Sequence, residues 1–102
     1  MSTAIASETV QIIRQLEPRE DVEAGLRRVL ENEMRRRLAA YELTDRMFQR
    51  KYGMTLAEFE AAGIVEKHGY SFKVESDHQE WDQTVDGIET LRDMLRRLQE
   101  QQ

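Results

Sequence analysis

No cysteine occurs in the chain, which removes disulfides, thiolate nucleophiles and thiolate metal sites at once. Proline is nearly absent too: Pro18 is the only one, and glycine contributes five of 102 residues. Long stretches therefore carry none of the residues that break a helix. No apolar run approaches the ~20 residues that span a bilayer. The N-terminal residues lack a basic-then-apolar leader, so a cytoplasmic protein with no membrane association is the expectation. Phosphate-cradling and nucleophile motifs are missing: neither G-x-x-x-x-G-K-[ST], G-x-G-x-x-G nor G-x-S-x-G occurs.

Charge dominates what is present. Charged residues make up 34% of the chain, a level that would favour disorder if no apolar periodicity accompanied it. The net charge of −5 is unevenly spread. Residues 1–51 are near neutral, whereas Val74 to Leu91 holds six acids (Glu75, Asp77, Glu80, Asp82, Asp86, Glu89) and no Lys or Arg. Such a band repels phosphates and argues against nucleic acid as the ligand of the C-terminal half.

The apolar periodicity is helical. Val22, Leu26, Leu30, Met34, Leu38, Tyr41, Phe48 and Tyr52 recur mostly three, four or seven apart, which predicts one long helix over 18–52. Pro18 suits its first turn, where a missing N–H costs nothing. Before it, Ser7 can cap a short helix over 8–16. Gly25 is a candidate for a close helix crossing. Gly53 ends the long helix as a residue able to turn left-handed. Thr55 and Glu58 then form a capping box, with Met54 and Phe59 as its apolar staple, opening a helix over 56–62 that stops at Gly63. Tyr70, Phe72 and Val74 alternate with polar residues, which predicts an extended segment over 70–75. Ser76 and Gln79 read as a second capping box for a last helix over 77–100, with Trp81, Thr84, Ile88, Leu91, Leu95 and Leu98 in a heptad-like seam.

The expected fold is therefore all-α: one domain over 1–102, with the long helix and an antiparallel C-terminal helix forming a helical hairpin beside a short extended segment. A 35-residue helix runs about 52 Å, against a radius of gyration of ~13 Å for a compact domain of this size. One chain cannot wrap such a rod, and a dimeric bundle is expected. Antiparallel packing would set Arg46, Arg50 and Lys51 beside Asp77, Glu80 and Asp82, and Arg92 to Arg97 beside Glu31 and Glu33.

No residue set makes a catalytic, cofactor or metal site. Glu75 and His78 give one E-x-x-H, but carboxylate-bridged metal bundles need two such pairs and two further glutamates. The short helix after Gly53 offers Glu58 and Glu60 rather than base-reading side chains, which argues against a DNA-binding helix-turn-helix. Arg35, Arg36 and Arg37 are a candidate anion contact. Glu31 and Glu33, one turn earlier, give them the plainer role of a salt-bridged, solvated face. Trp81 belongs to the core seam. The candidate partner-binding surface is Tyr70, Phe72 and Val74 with Asp82, Asp86 and Glu89, because it joins an unpaired extended segment to acids.

The stretch Tyr41-Glu42-Leu43-Thr44, then Phe48, Lys51 to Thr55, Glu58-Phe59-Glu60, Trp81 and Asp86-Gly87-Ile88, resembles small helical antitoxins of prokaryotic toxin–antitoxin modules. The resemblance covers about residues 41–95. It implies a dimer without enzyme activity or cofactor that masks a protein partner, a toxin such as a nuclease, encoded beside it. A ribbon-helix-helix or helix-turn-helix domain, common among antitoxins, has no counterpart here. The function expected is a non-enzymatic interaction protein working through an acidic surface. The alternatives are a small dimeric enzyme using Arg35 to Arg37 on an anionic substrate between subunits, and a DNA-binding regulator using the same arginines.

Overall fold

The computed structural model describes residues 4–101. Among them five helices follow one another: α1 (Ser7–Leu16), α2 (Val22–Tyr52), α3 (Leu56–Ala61), α4 (Ile64–Lys67) and α5 (Phe72–Glu100). The described residues contain no strand, so the all-α expectation stands.

The chain terminates its helices where side chains can satisfy the free backbone groups. The long helix begins at Val22 and not at residue 18. Asp21 supplies the decisive acceptor, taking the Ala24 N–H at 2.8 Å, and Pro18 lies in the turn that leaves α1. Ser7 is the first helical residue of α1 and does not cap it; Ala6 holds that position without a side-chain bond. At the far end Gly53 takes φ 69° and stops α2. The capping box is formed as expected, with Glu58 N–H bonded to Thr55 Oγ1 and Thr55 N–H bonded to Glu58 Oε1. Past Gly63 (φ 63°) the chain makes one more helical turn, α4, which brings Ile64 and Val65 against the core.

The expected extended segment over 70–75 is not present. Phe72 to Glu75 form the first turn of α5, and Ser71 is its N-cap, accepting the Val74 N–H at 3.4 Å. The Ser76 capping box is likewise replaced, since Ser76 and Gln79 lie inside α5. The physical reason is hydrogen bonding: a lone strand would leave its N–H and C=O groups unmet, whereas a serine cap lets them close into helix. The reversal this requires is made by Gly69 (φ 62°) and Tyr70 (φ 56°), both left-handed.

α2 and α5 lie side by side and antiparallel, as their contacts show: Lys51 meets Asp77, Asp45 meets Trp81, and the Tyr41 ring lies on Gly87. The core is concentrated at the knuckle end, where Phe48, Leu56, Phe59, Val74 and Trp81 are buried and Tyr52, Met54, Ile64, Val65 and Val85 pack against them. Further along, Ile88, Leu91 and Leu95 continue the buried seam. α1 folds back on α2, where Ile13 approaches to 3.3 Å of the point a Cβ on Gly25 would occupy. Gly25 is thus the close crossing point. The result is a rod with extents of 57 × 27 × 22 Å and a radius of gyration of 19.4 Å, against ~13 Å for a compact domain of this length.

Only part of the expected charge matching forms. Lys51 pairs with Asp77, but Arg92 reaches Glu42 at 3.6 Å and not Glu31 or Glu33. Arg96 and Arg97 stay on their own helix with Asp93, because a partner three or four residues away is within reach without spanning two helices.

Gly87 stands in mid-helix, where alanine is ordinarily better by about 1 kcal/mol. A Cβ there would lie 2.9–3.2 Å from the Tyr41 ring. Gly87→Ala is therefore expected to gain about 1 kcal/mol in a Tyr41→Ala background and markedly less, or to lose stability, with Tyr41 in place. Urea unfolding of the four chains of that double-mutant cycle measures the coupling. Equal gains in both backgrounds would show that the ring swings away freely.

Candidate partner-binding surfaces

The knuckle end is organised around Trp81, which has no exposed surface. Phe48 and Tyr52 of α2 lie nearly parallel to it, with centroids at 5.5 and 5.8 Å, and Phe59 of α3 meets it edge-on at 5.3 Å. Its indole N–H donates to Asp45 Oδ1 at 2.8 Å. One turn along, Asp77 accepts from both Lys51 Nζ and the Tyr52 hydroxyl. Burial pushes the Asp77 carboxyl up, but the Lys51 and Tyr52 hydrogen bonds outweigh it and hold the group below the usual aspartate range. Burial, then the bond to Asp77, pushes the Tyr52 hydroxyl up to about 12. These are structural anchors: every polar atom buried among the described side chains has a partner.

His78, placed on the same face, meets Glu60 at 3.3 Å beside Phe59. With Glu60, Ile64 and Gly63 it borders a small hollow of about 230 Å³. Glu75 lies within α5, not ahead of it. Among the described residues no three His, Cys, Asp or Glu side chains gather as metal ligands.

A larger concavity lies further along the rod, on one side of the α2–α5 seam. It is an open groove of about 610 Å³. Leu30, Met34 and Tyr41 of α2 and Leu91 and Met94 of α5 supply its apolar wall, with Glu33 and Arg37 on one lip and Gln83, Asp86 and Thr90 on the other. Leu30, Tyr41 and Met94 are exposed. Sequence periodicity assigns Leu30, Met34, Tyr41 and Leu91 to the apolar stripes and does not reveal the groove. The available signal is the bare Gly87, whose missing side chain lets Tyr41 sink onto α5 and leaves space beside it.

The three arginines do not form one site. Arg35 turns to Glu31 at 3.0 Å, while Arg36 and Arg37 share Glu33 at 2.5 and 2.9 Å. The hydrogen bonds from Arg36 and Arg37 pull the Glu33 carboxyl down to about 2. Only Arg37 lines the groove.

Of the expected partner-binding set, Val74 is buried in the Trp81 core and presents nothing outward, because the segment is helical and not extended. Phe72 and Tyr70 are bare, with 86% and 59% of their surface exposed. Asp82, Asp86 and Glu89 are exposed and, among the described residues, have no Lys or Arg nitrogen within ion-pair distance. At 100° per residue, Glu75, Asp82, Asp86 and Glu89 fall within about 60° of one another, an acidic ridge along α5 that begins beside Phe72.

Comparison with protein-family models, with curated proteins and with solved structures returns no match.

The Asp77 anchor generates a pH dependence. Its folded carboxyl titrates below its unfolded value, so its contribution is complete above the ordinary aspartate range and is lost as pH falls through the lowered folded value. Asp77→Asn should cost about 1–2 kcal/mol at neutral pH. The difference from the parent chain should shrink in strong acid, as followed by denaturant midpoints across pH. A constant difference would remove the carboxylate's charge from the explanation.

Proposed function

We propose that the chain is a non-enzymatic interaction protein, a homodimer of helical hairpins, which docks a basic protein partner along the acidic ridge of α5 in an antitoxin-like role. The observation that carries this reading is the ridge itself. Glu75, Asp82, Asp86 and Glu89 stand in a row without intramolecular cations among the described residues, next to two exposed aromatic side chains, Tyr70 and Phe72. Unpaired charges of one sign on one rigid helix are suited to steering an oppositely charged partner and setting its register. Bare aromatics at the end of such a row are the residue types that anchor interfaces. A nucleic-acid enzyme presents a basic cleft, and an acidic helix laid in it would displace RNA or DNA. The resemblance to small antitoxins points the same way.

The arginine-based alternatives receive less support, since Arg35, Arg36 and Arg37 each already bond a glutamate. Exposed pairs of this kind are weak and could be exchanged for a stronger anion. Their divergence onto two glutamates nevertheless offers no common focus for one.

Co-expression with the product of the adjacent gene tests the reading. The tagged partner should retain the chain at low salt and release it progressively as salt rises. Asp82→Lys with Glu89→Lys should weaken the complex by about two orders of magnitude through like-charge contacts, and Phe72→Ala by about tenfold or more. A complex indifferent to all three substitutions would place the interface elsewhere.

A further inference from the structure

Tyr70 stands where the backbone favours glycine, and no contact inside the chain accounts for it. α4 ends in a pair of crossed backbone bonds: the Tyr70 N–H donates to the Val65 carbonyl at 3.0 Å and the Gly69 N–H to the Glu66 carbonyl at 3.0 Å. That pattern requires a left-handed residue at Gly69 (φ 62°). It does not require one at the next position. Tyr70 nevertheless takes φ 56°, and among the described residues no other residue than glycine has a positive φ. A residue with a Cβ enters this region roughly tenfold less readily than the right-handed one. Strain of this kind persists only where the surroundings fix it, and it concentrates at functional positions.

The fold does not offset that strain. The Tyr70 ring is outside the Trp81 cluster and is exposed. Phe72, two residues on, is more exposed still. The backbone beneath both is anchored, by the Tyr70 N–H on Val65 and by Ser71, which caps α5 through the Val74 N–H. The two rings are held out from a fixed support, so little ordering remains to be done when a partner arrives.

We propose that Tyr70 and Phe72 are a preorganised pair that inserts into an apolar pocket of a basic protein, and that the left-handed backbone at Tyr70 aims its ring for that contact. The inference rests on the docking part of the proposed function and specifies what the knuckle end enters. Charge selects this occupant. Lys67 and Lys73 flank the pair, but six acids follow from Glu75 to Glu89, and Lys73 is near enough to Asp77 for its charge to help hold that carboxyl down. Glu75 is one turn from Phe72 and about 60° round the helix. A pocket that receives the rings therefore meets carboxylates at its rim, which favours cations there. An anionic lipid surface, which aromatic rings beside lysines would otherwise suit, is repelled by the same acids.

The test uses the full chain and the product of the adjacent gene, with Tyr70→Gly, Tyr70→Ala, Tyr70→Phe and Phe72→Ala compared with the Asp82→Lys, Glu89→Lys ridge variant. Denaturant unfolding of the chain alone measures the strain. Tyr70→Gly and Tyr70→Ala both remove the ring, and only glycine relieves the backbone, so the glycine variant should be more folded than the alanine variant by roughly fivefold in equilibrium constant. Binding measures the contact. Both of those variants, and Phe72→Ala, should weaken the complex about tenfold or more, whereas Tyr70→Phe, which keeps ring and backbone, should stay within about threefold of the parent. A glycine variant that is well folded and still binds weakly separates the contact from stability. Equal stability of the glycine and alanine variants overturns the role of strain. A complex weakened by the ridge variant but not by the Tyr70 and Phe72 variants overturns the aromatic pair and leaves the acidic ridge standing, and absence of any complex overturns both. The chain is expected not to sediment with phosphatidylserine vesicles; sedimentation that Phe72→Ala abolishes would assign the pair to a membrane and overturn the basic-protein partner.

Discussion

Trp81 is the side chain on which the rest of the molecule depends. Its ring is covered on three sides by Phe48, Tyr52 and Phe59, which come from two different helices, and its N–H is fixed by Asp45. Aromatic contacts of this kind add about 0.5–1.5 kcal/mol each beyond the area they bury. A large ring with a polar edge can take only one pose here, because the N–H must reach Asp45 while the faces stay dry. That pose sets the distance and the register between α2 and α5, and the later contacts, Tyr52 with Asp77 and Tyr41 with Gly87, follow from it.

The consequence of this arrangement is that the core is local. Buried aromatics cluster at the knuckle, whereas the other half of the rod is held by a narrower seam of Ile88, Leu91 and Leu95 and by Ile13 of α1 against Gly25. Among the described residues ten large apolar side chains are exposed, more than the nine that are buried. A single subunit of this shape leaves uncovered the kind of surface that protein partners cover. It does so in two separate places: the groove along the shaft and the aromatic pair at the knuckle. Function in this reading is a property of surfaces, and the buried groups serve to hold two helices rigid while those surfaces are presented.

Much of the fold is legible in the residues. The stripe from Val22 to Tyr52, the stop at Gly53, the Thr55–Glu58 box and the seat of Trp81 in the seam all follow from local rules, because a helix and its caps are decided by neighbours three or four residues away. The segment from Tyr70 to Val74 reads as extended, and the structure corrects it, for the complementary reason. Alternation over five residues also fits the first turn of a helix, and Ser71 prevails over Ser76 as the cap only through the packing of Val74 against the Trp81 core. Of the expected surface, Asp82, Asp86 and Glu89 face outward because acids on the far side of an amphipathic helix must; Val74 does not, because the change from strand to helix turns it inward.

The sequence by itself determined the helices, most of their caps and the excess of acid on the last of them, since propensity, hydrogen bonding at helix ends and charge are short-range properties of the chain. Tertiary structure alone decided that Arg92 reaches Glu42, that Gly87 receives the Tyr41 ring, and that this leaves an open groove rather than a filled seam. Those outcomes depend on the rotation and spacing of two helices that are distant in the chain, and no local pattern encodes them.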